Sequence, residues 1–582
     1  MFKKVLVANR GEIAVRIIRT LRELGIRSIA AFSDADRNAL FVELADEAYF
    51  LGAGPSTASY LNIQALLEVA SLSGADAVHP GYGFLAENAE FAQAVADARM
   101  IFIGPSVDSI RLMGNKVAAK QAASRLGVPL VPGTQEPVRS LADVENFVRQ
   151  HGFPVAVKAS AGGGGRGIRV VRDPNALADA LERSSREAQT YFRDPAVYVE
   201  RYFEHPRHVE IQVLGDQHGN LIHLGERECS LQRMHQKLIE EAPSTAVSSA
   251  LRAQMGEMAL RAASAAQYWS AGTVEFLLDQ SGAFYFLEMN TRIQVEHPVT
   301  EMVTGTDLIK EMVLVAAGEA MTTSGSRSDL DGHAIEVRIN AEDPQNGFRP
   351  STTSITDYLA PGGPGVRVDS GVRAGSVIPQ YYDSLLSKLI VWAHDREAAR
   401  LRMLRAMDEY RIDGPVTTLP FAQSLLTSEE FITSRFSTTF VEDELSRLVA
   451  HLQPVVTSGS AQSPGVVRVG GREFEVEVNR KFFRVHVSEV EKAPSVASAT
   501  SRAVRPDVSK GRGATLASPM HGTVLSVSAA QGQTVEAGQT VIVIEAMKME
   551  NDVHVHRSGR IKEVHVRPGD TVETGQPLLT LE

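Results

Sequence analysis

The sequence predicts a multidomain α/β protein. It should comprise a doubly wound N-terminal domain, two further mixed α and β domains, and a small all-β domain on a flexible tether near the C-terminal end. Three observations carry this. At 582 residues the chain is too long for one hydrophobic core. Its first part alternates short apolar strands with amphipathic helices, whereas its last part holds only strand-length runs broken by glycine turns. The segment Gly532-Gln533-Thr534-Val535-Glu536-Ala537-Gly538-Gln539 returns 37 residues later as Gly569-Asp570-Thr571-Val572-Glu573-Thr574-Gly575-Gln576, which predicts two similar β-halves packed on each other.

Composition narrows the function. A net charge of −11 argues against a nucleic-acid binder, which needs clustered Lys and Arg to neutralise phosphates. No apolar run approaches the ~20 residues of a membrane span. The single cysteine, Cys229, excludes an intrachain disulfide framework and reads as a buried thiol. A strand pattern begins at once after Met1, which leaves no room for a signal or transit peptide. The expectation is a cytoplasmic enzyme with neither nucleic acid nor membrane as a partner.

Residues 1–115 open with the strand Val5-Leu6-Val7-Ala8, which runs through Asn9-Arg10-Gly11-Glu12 into a helix; the turn lacks the three glycines of a dinucleotide site. Residues 116–330 form the second domain, in which the strand Val155-Ala156-Val157-Lys158 leads into a glycine-rich loop and alternating strands follow from about 206. Residues 331–448 mix strands and helices. Residues 449–491 read as short strands with Gly470-Gly471 as a hairpin turn, a small module packed by Phe474, Val476, Val478, Phe482 and Phe483. Residues 492–513 are rich in Ala, Ser, Val and charge, lack periodicity, and read as the tether. Residues 514–582 form the small β-domain, with Glu545-Ala546-Met547-Lys548-Met549-Glu550 between the two repeats, where a tight turn would present Lys548.

The chemistry concentrates in the second domain. The loop Ser160-Ala161-Gly162-Gly163-Gly164-Gly165-Arg166-Gly167 lets backbone N–H groups approach a polyphosphate, and Lys158 before it can reach the phosphates as a point charge. No Gly-Lys-Ser/Thr ends the loop, so it is not a Walker A motif. Apolar runs flank Ser281-Gly282, and a two-residue hairpin turn there pairs positions whose numbers sum to 563, which sets Glu275 opposite Glu288. Like charges so placed are destabilising unless neutralised, and a Mg²⁺ ion shared with nucleotide phosphates would neutralise them. If the chain stays extended, Asn290, Arg292, Gln294 and Glu296 share the face of Glu288, while Leu287, Met289, Ile293 and Val295 face the core. That face offers metal ligands, then a guanidinium able to bind a small planar anion, then a carboxylate able to act as its base.

These motifs, together with His79-Pro80-Gly81-Tyr82-Gly83-Phe84-Leu85, Pro206-Arg207-His208-Val209-Glu210 and the Gln232 to Lys237 stretch, resemble those of biotin carboxylases of the ATP-grasp class. The Met-Lys-Met turn resembles the attachment site of biotin; a lipoyl domain typically carries Asp-Lys-Ala there. The whole looks like the α-chain of a bacterial biotin-dependent acyl-CoA carboxylase. The resemblance covers 1 to about 448 and again about 515 to 582, and makes the three large domains the carboxylase N-terminal, ATP-grasp and C-terminal domains, and the last a biotinyl domain.

The resemblance further implies biotin on Lys548, ATP, bicarbonate, and Mg²⁺ or Mn²⁺. Lys116 and Lys158 would hold ATP phosphates under a lid containing Gly163, Gly164, Gly165, Arg166 and Gly167. Glu200, His208, Gln232 and His235 would line the nucleotide site, and Lys237 would contact phosphate and bicarbonate. Glu275, Glu288 and Asn290 would organise metal ions. Arg292, Gln294 and Val295 would hold bicarbonate, which Glu296 would deprotonate for attack on the γ-phosphate. Arg338 would stabilise the biotin enolate, and Tyr82 would border its pocket. A separate carboxyltransferase β-subunit would serve the acyl-CoA, a biotin protein ligase would load Lys548, and a homo-oligomer within a larger holoenzyme would be expected. A pyruvate or other 2-oxoacid carboxylase subunit is the nearest alternative, and a non-catalytic carrier a more distant one.

Overall fold

The computed structural model describes the chain except for residues 135, 139, 160–167, 193–195, 327–328, 451, 453–467, 479–480, 491–514, 521, 547–548 and 573–574. The chain divides into two compact units, the larger built on Met1–Leu452 and the smaller on the C-terminal β-structure.

The larger unit opens with a parallel sheet whose strand order is Glu47–Gly52, Arg27–Ser33, Lys4–Val7, Ala77–His79, Ile101–Phe102. Both faces are covered by helices, as a parallel sheet requires, so Val5, Leu6 and Val7 are all fully buried. The order reverses between Lys4–Val7 and Ala77–His79. The loops leaving their carboxyl ends, Ala8 to Arg10 and Pro80 to Gly83, therefore flank a crevice, the usual ligand position in such sheets.

The frame of this unit is one eight-stranded sheet: Phe284–Asn290, Ser270–Leu278, Arg207–Gly215, Leu221–Arg233, Gln236–Ala242, His333–Asn340, Leu385–Ala393, Val366–Ser370. It crosses the 330/331 division without a break, because Gln236–Ala242 pairs with His333–Asn340 from Ile239↔Val337 to Ala242↔Ala334. A separate three-stranded sheet, Ile168–Val171, Val155–Ala159 and Val197–Arg201, carries Lys158 and Glu200 on neighbouring strands. The glycine-loop residues Gly163, Gly164, Gly165, Arg166 and Gly167 lie outside the described residues.

The hairpin that pairs Glu275 with Glu288 departs from the expected one in two compensating ways. The strands are joined by three residues, Gln280 to Gly282, with Asp279 and Ala283 closing the loop and Gly282 at φ +86°. The register then shifts between Glu275↔Glu288 and Phe276↔Phe286, so Leu287 is an extra, bulged residue. Leu287 consequently lines a cavity with Glu288 instead of facing the core. The strand also ends at Asn290; residues 291–296 form a bent segment leading into the helix His297–Thr304.

Arg468–Val478 and Lys481–Val490 form a single long antiparallel hairpin, not several short strands. Gly470 and Gly471 are not its turn: they lie within the first strand, where the shift from Val469↔Glu489 to Gly471↔Ser488 leaves Gly470 unpaired. The tether expected at 492–513 is outside the described residues.

The C-terminal domain is two four-stranded sheets related strand by strand through the 37-residue repeat. Gly522–Val527 corresponds to Gly559–Val564, Thr534–Val535 to Thr571–Val572, and Thr540–Ala546 to Pro577–Leu581. The correspondence extends to hydrogen bonds. Gly532 N donates to Ile561 O at 2.7 Å, and Gly569 N donates to Val524 O at 2.7 Å. Lys548 is outside the described residues.

Candidate functional site

A cavity of about 1280 Å³ opens between the crevice of the parallel sheet and one face of the eight-stranded sheet. It is lined by Tyr82, Lys116, Lys158, Glu200, His208, Gln232, His235, Lys237, Glu275, Glu288, Asn290, Arg292, Gln294, Val295, Glu296 and Arg338. All of these were candidates from the sequence.

At its floor a carboxylate lies between two cations. Lys237 Nζ donates to Glu296 Oε1 at 2.5 Å and to Glu210 Oε2 at 2.6 Å, and lies 3.3 Å from Glu275 Oε1. Arg338 Nη2 reaches Glu296 Oε2 at 2.8 Å, and its Nε donates to Glu240 Oε1 at 2.6 Å. Burial alone would raise the Glu296 carboxyl, but the Lys237 ammonium and the Arg338 and Arg227 guanidinium groups hold it below the usual carboxylate range. Burial likewise opposes the charge on Lys237, and Glu210 and Glu296 overcome it, so the ammonium is held well above its ordinary value. Glu296 and Lys237 therefore each favour the other's charged form.

Arg227 supports this arrangement from inside the sheet. Its side chain is 0 % exposed. It donates to Glu210 Oε1 at 2.5 Å, Gln212 Oε1 at 2.7 Å, Thr300 Oγ1 at 2.9 Å and Thr273 Oγ1 at 3.0 Å. Without it Glu210 would keep Lys237 as its cationic partner but lose the guanidinium that holds its other oxygen inside the sheet. Glu210, in turn, fixes Lys237.

Glu275 and Glu288 are direct cross-strand partners, as the register predicts, but different groups neutralise them. Glu275 Oε1 accepts from Asn290 Nδ2 at 2.9 Å and Gln294 Nε2 at 2.8 Å, and Oε2 lies 3.1 Å from His208 Nε2. Burial would raise Glu275, and Lys237 and His208 instead hold it well below the usual range. Glu288 is 40 % exposed to the cavity and meets Lys116 Nζ at 3.3 Å. Two carboxylates and the Asn290 amide oxygen are hard oxygen donors of the kind Mg²⁺ takes alongside phosphate and water, so this set fits a divalent ion. Lys158 pairs with Glu200.

The His79–Leu85 motif builds the opposite wall. His79 Nδ1 accepts from Gly81 N at 3.1 Å, and burial pushes its pKa down to about 3, which keeps the ring a neutral acceptor. Asn9 Nδ2 donates to the Pro80 and Tyr82 carbonyls at 2.7 Å each. Gly81 sits at φ +62°, and a Cβ there would lie 3.0 Å from Asn9 Nδ2, so both conformation and space require glycine. The Tyr82 hydroxyl bonds to Glu12.

Sequence reasoning missed several supporting residues. Glu87 accepts from Arg292 Nε at 3.0 Å and from Thr291 N at 3.0 Å, and so orients the Arg292 guanidinium from a distant loop. Glu210, Arg227 and Glu240 also escaped. One signal was available: Glu226-Arg227-Glu228 and Glu240-Glu241 fall beside apolar residues in strand-length runs, and charges buried there require internal partners.

Comparison with known proteins matches four stretches of the chain. Residues 1–110 match the family described as biotin carboxylase, N-terminal domain; 115–324 match carbamoyl-phosphate synthase L chain, ATP binding domain; 336–443 match biotin carboxylase C-terminal domain. Residues 514–581 match biotin-requiring enzyme. Biotin carboxylase 1 of Bacillus subtilis is 52 % identical over 443 residues, 76 % of this chain and 98 % of that one. The biotin-dependent acyl-coenzyme A carboxylase alpha3 subunit of Mycobacterium leprae is 44 % identical over 595 residues, covering 100 % of this chain and 98 % of its own. Among solved structures, the biotin carboxylase domain of Hydrogenobacter thermophilus 2-oxoglutarate carboxylase, bound to MgADP and bicarbonate, superposes with a TM-score of 0.71 at 45 % identity, covering 78 % of this chain and 100 % of that one.

Proposed function

The chain belongs to the biotin carboxylase family, with a biotinyl domain on the same polypeptide, and from this we propose that it is the α-chain of an acyl-CoA carboxylase. It uses ATP and bicarbonate to carboxylate biotin carried on its own Lys548. A separate carboxyltransferase β-subunit then passes the carboxyl group to an acyl-CoA. The observation that carries the reading is the carboxylate Glu296 held between Lys237 and Arg338, with Arg292 in the same cavity. Similarity over the full length to the M. leprae α3 subunit favours an acyl-CoA over a 2-oxoacid as acceptor.

In this reading bicarbonate binds Arg292 and Lys237, with Gln294 and Val295 beside it, and gives its proton to Glu296. The carboxylate is poorly basic while Lys237 and Arg338 both hold it. As Lys237 turns toward the incoming anion, the strongest of its opposing charges weakens and Glu296 becomes a better base. Lys116 and Lys158 draw the γ-phosphate into line, with Glu200, His208, Gln232 and His235 around the nucleotide. The work of these groups is positioning and charge stabilisation. Glu275, Glu288 and Asn290 would hold Mg²⁺ or Mn²⁺, which supplies charge neutralisation on the phosphates. The deprotonated bicarbonate attacks the γ-phosphorus with release of ADP, and the carboxyphosphate so formed breaks down to CO₂ and phosphate. Biotin would supply the ureido nitrogen that takes up the CO₂, its N–H proton passing to that phosphate; Arg338 and Tyr82 face that part of the cavity. The protein works in the cytoplasm as a homo-oligomer within the holoenzyme, after a biotin protein ligase has loaded Lys548. None of the described helices is long and apolar enough to cross a membrane.

The test is bicarbonate-dependent ADP release with free biotin, together with intact mass. Activity, a mass increase of one biotin, and a loss of about 10²–10⁴-fold in kcat for Glu296→Gln are expected. Biotinylation without bicarbonate-dependent ADP release would overturn the catalytic assignment.

A further inference from the structure

Lys388 has no part in the mechanism above, yet it is one of the largest fully buried side chains of the chain. It lies on Leu385–Ala393, directly across from Arg338 on His333–Asn340. Two cations side by side on neighbouring strands repel each other, and a buried lysine carries a desolvation cost that an apolar residue of similar size would avoid. Lys388 spends its charge on two contacts. Its Nζ donates to the Val295 carbonyl at 2.6 Å and pairs with Glu12 Oε1 at 3.2 Å; the two side chains are 0 % and 2 % exposed. The same Glu12 oxygen accepts from the Tyr82 hydroxyl.

The neighbouring cations therefore grip consecutive residues: Arg338 holds the Glu296 carboxylate at 2.8 Å, and Lys388 holds the carbonyl of Val295. Two of the backbone bonds that close this segment, His297 N to Gln294 O and Val299 N to Glu296 O, are 3.4 Å, long for N–H···O, while His297 Nδ1 meets the Gln294 carbonyl at 2.7 Å; the Val295 carbonyl between them is held by Lys388.

We propose that Lys388 is a positioning residue for the carboxylation reaction, clamping the Val295 carbonyl so that Gln294 and Glu296 stay aligned on bicarbonate, and coupling that segment through Glu12 to Tyr82. This rests on the assignment of Glu296 and Gln294 under the function proposed above. It predicts a loss at the bicarbonate end of the cavity and none at the nucleotide end.

The experiment compares the full-length protein with Lys388→Met and with Lys388→Met/Glu12→Gln. The double variant removes both members of the buried pair, so a change that persists in it is not the cost of leaving Glu12 unpaired; Glu336 and Asp369, which also face Lys388, are the same in both variants. The KM for bicarbonate should rise at least about tenfold in both, as misplacement of a reacting group by a fraction of an ångström allows, with the KM for ATP within about twofold of wild type. Amide hydrogen exchange across 291–297 should accelerate by about tenfold or more, while melting temperature recovers in the double variant. Unchanged exchange and unchanged bicarbonate KM in a folded variant would overturn the proposal, as would recovery of both in the double variant. Should the wild type itself release no ADP in response to bicarbonate, the proposed function fails, and the exchange comparison still decides whether Lys388 clamps the segment.

Discussion

Glu240 shows how a residue without an evident catalytic role can tie the stability of the fold to pH. It bonds Arg338 through one oxygen, and its other oxygen is buried with no hydrogen-bond partner. Burial pushes its pKa up to about 7 against the opposing pull of Arg338. Its facing partner Glu336 is pushed well above the usual range by burial, and neither of its oxygens has a hydrogen-bond partner. A carboxyl group whose folded pKa is raised stabilises the fold below its unfolded value of ~4.3 and loses that contribution as pH rises through the folded value. Between pH 5 and 8 the melting temperature of wild type should therefore fall more steeply than that of Glu240→Gln, which still accepts a hydrogen bond from Arg338 but does not titrate. Parallel Tm–pH curves for the two proteins would contradict this. The sequence could mark Glu240 as a buried charge in need of a partner but not name that partner, which lies 98 positions away, Arg338, on the adjacent strand. Glu296, Arg292 and Lys237 were visible because local motifs carry them.

At the scale of the element, the hairpin Ser270–Leu278 to Phe284–Asn290 shows what periodicity can and cannot deliver. The facing pair Glu275 and Glu288 was correct, although the loop has three residues where two were expected. The bulged Leu287 restores the register that the longer loop displaced. Neither feature changes the apolar pattern enough to be read from it, since a bulge is one extra residue of unremarkable type. Deleting Leu287 should leave every pair in the ladder intact and remove only the bulge. Leu287 contributes an apolar wall to the cavity. The expected result is a melting temperature within a few degrees of wild type and a KM for ATP raised several-fold, read by calorimetry and steady-state kinetics. A collapse of the fold would show that the bulge, and not the ladder, holds this edge of the sheet.

For the whole molecule, composition and pattern foretold the succession of α/β and all-β parts, but not that one eight-stranded sheet would run through the second and third domains. Sheets join distant strands, and the joining of Gln236–Ala242 to His333–Asn340 leaves no trace in either strand alone. Division of labour between the two units gives the next prediction. Lys548→Arg should abolish carboxyl transfer to the acyl-CoA while leaving ADP release with free biotin near wild type; loss of the free-biotin reaction would show that Lys548 is more than a carrier. We further propose that the hairpin of 468–490 docks the carboxyltransferase. Deleting 460–490 should then abolish co-purification with that subunit and spare the free-biotin activity, whereas undiminished assembly would reduce the segment to a spacer.

The internal repeat of the C-terminal domain also relates its turns to its ends. The repeat equates Thr540–Ala546 with Pro577–Leu581 and Met549–His554 with Thr515–Ala517, so in sequence the interval between Thr540–Ala546 and Met549–His554 is the counterpart of the break between the domain's last strand and its first. One and the same connection is thus closed in one half of the repeat and open in the other.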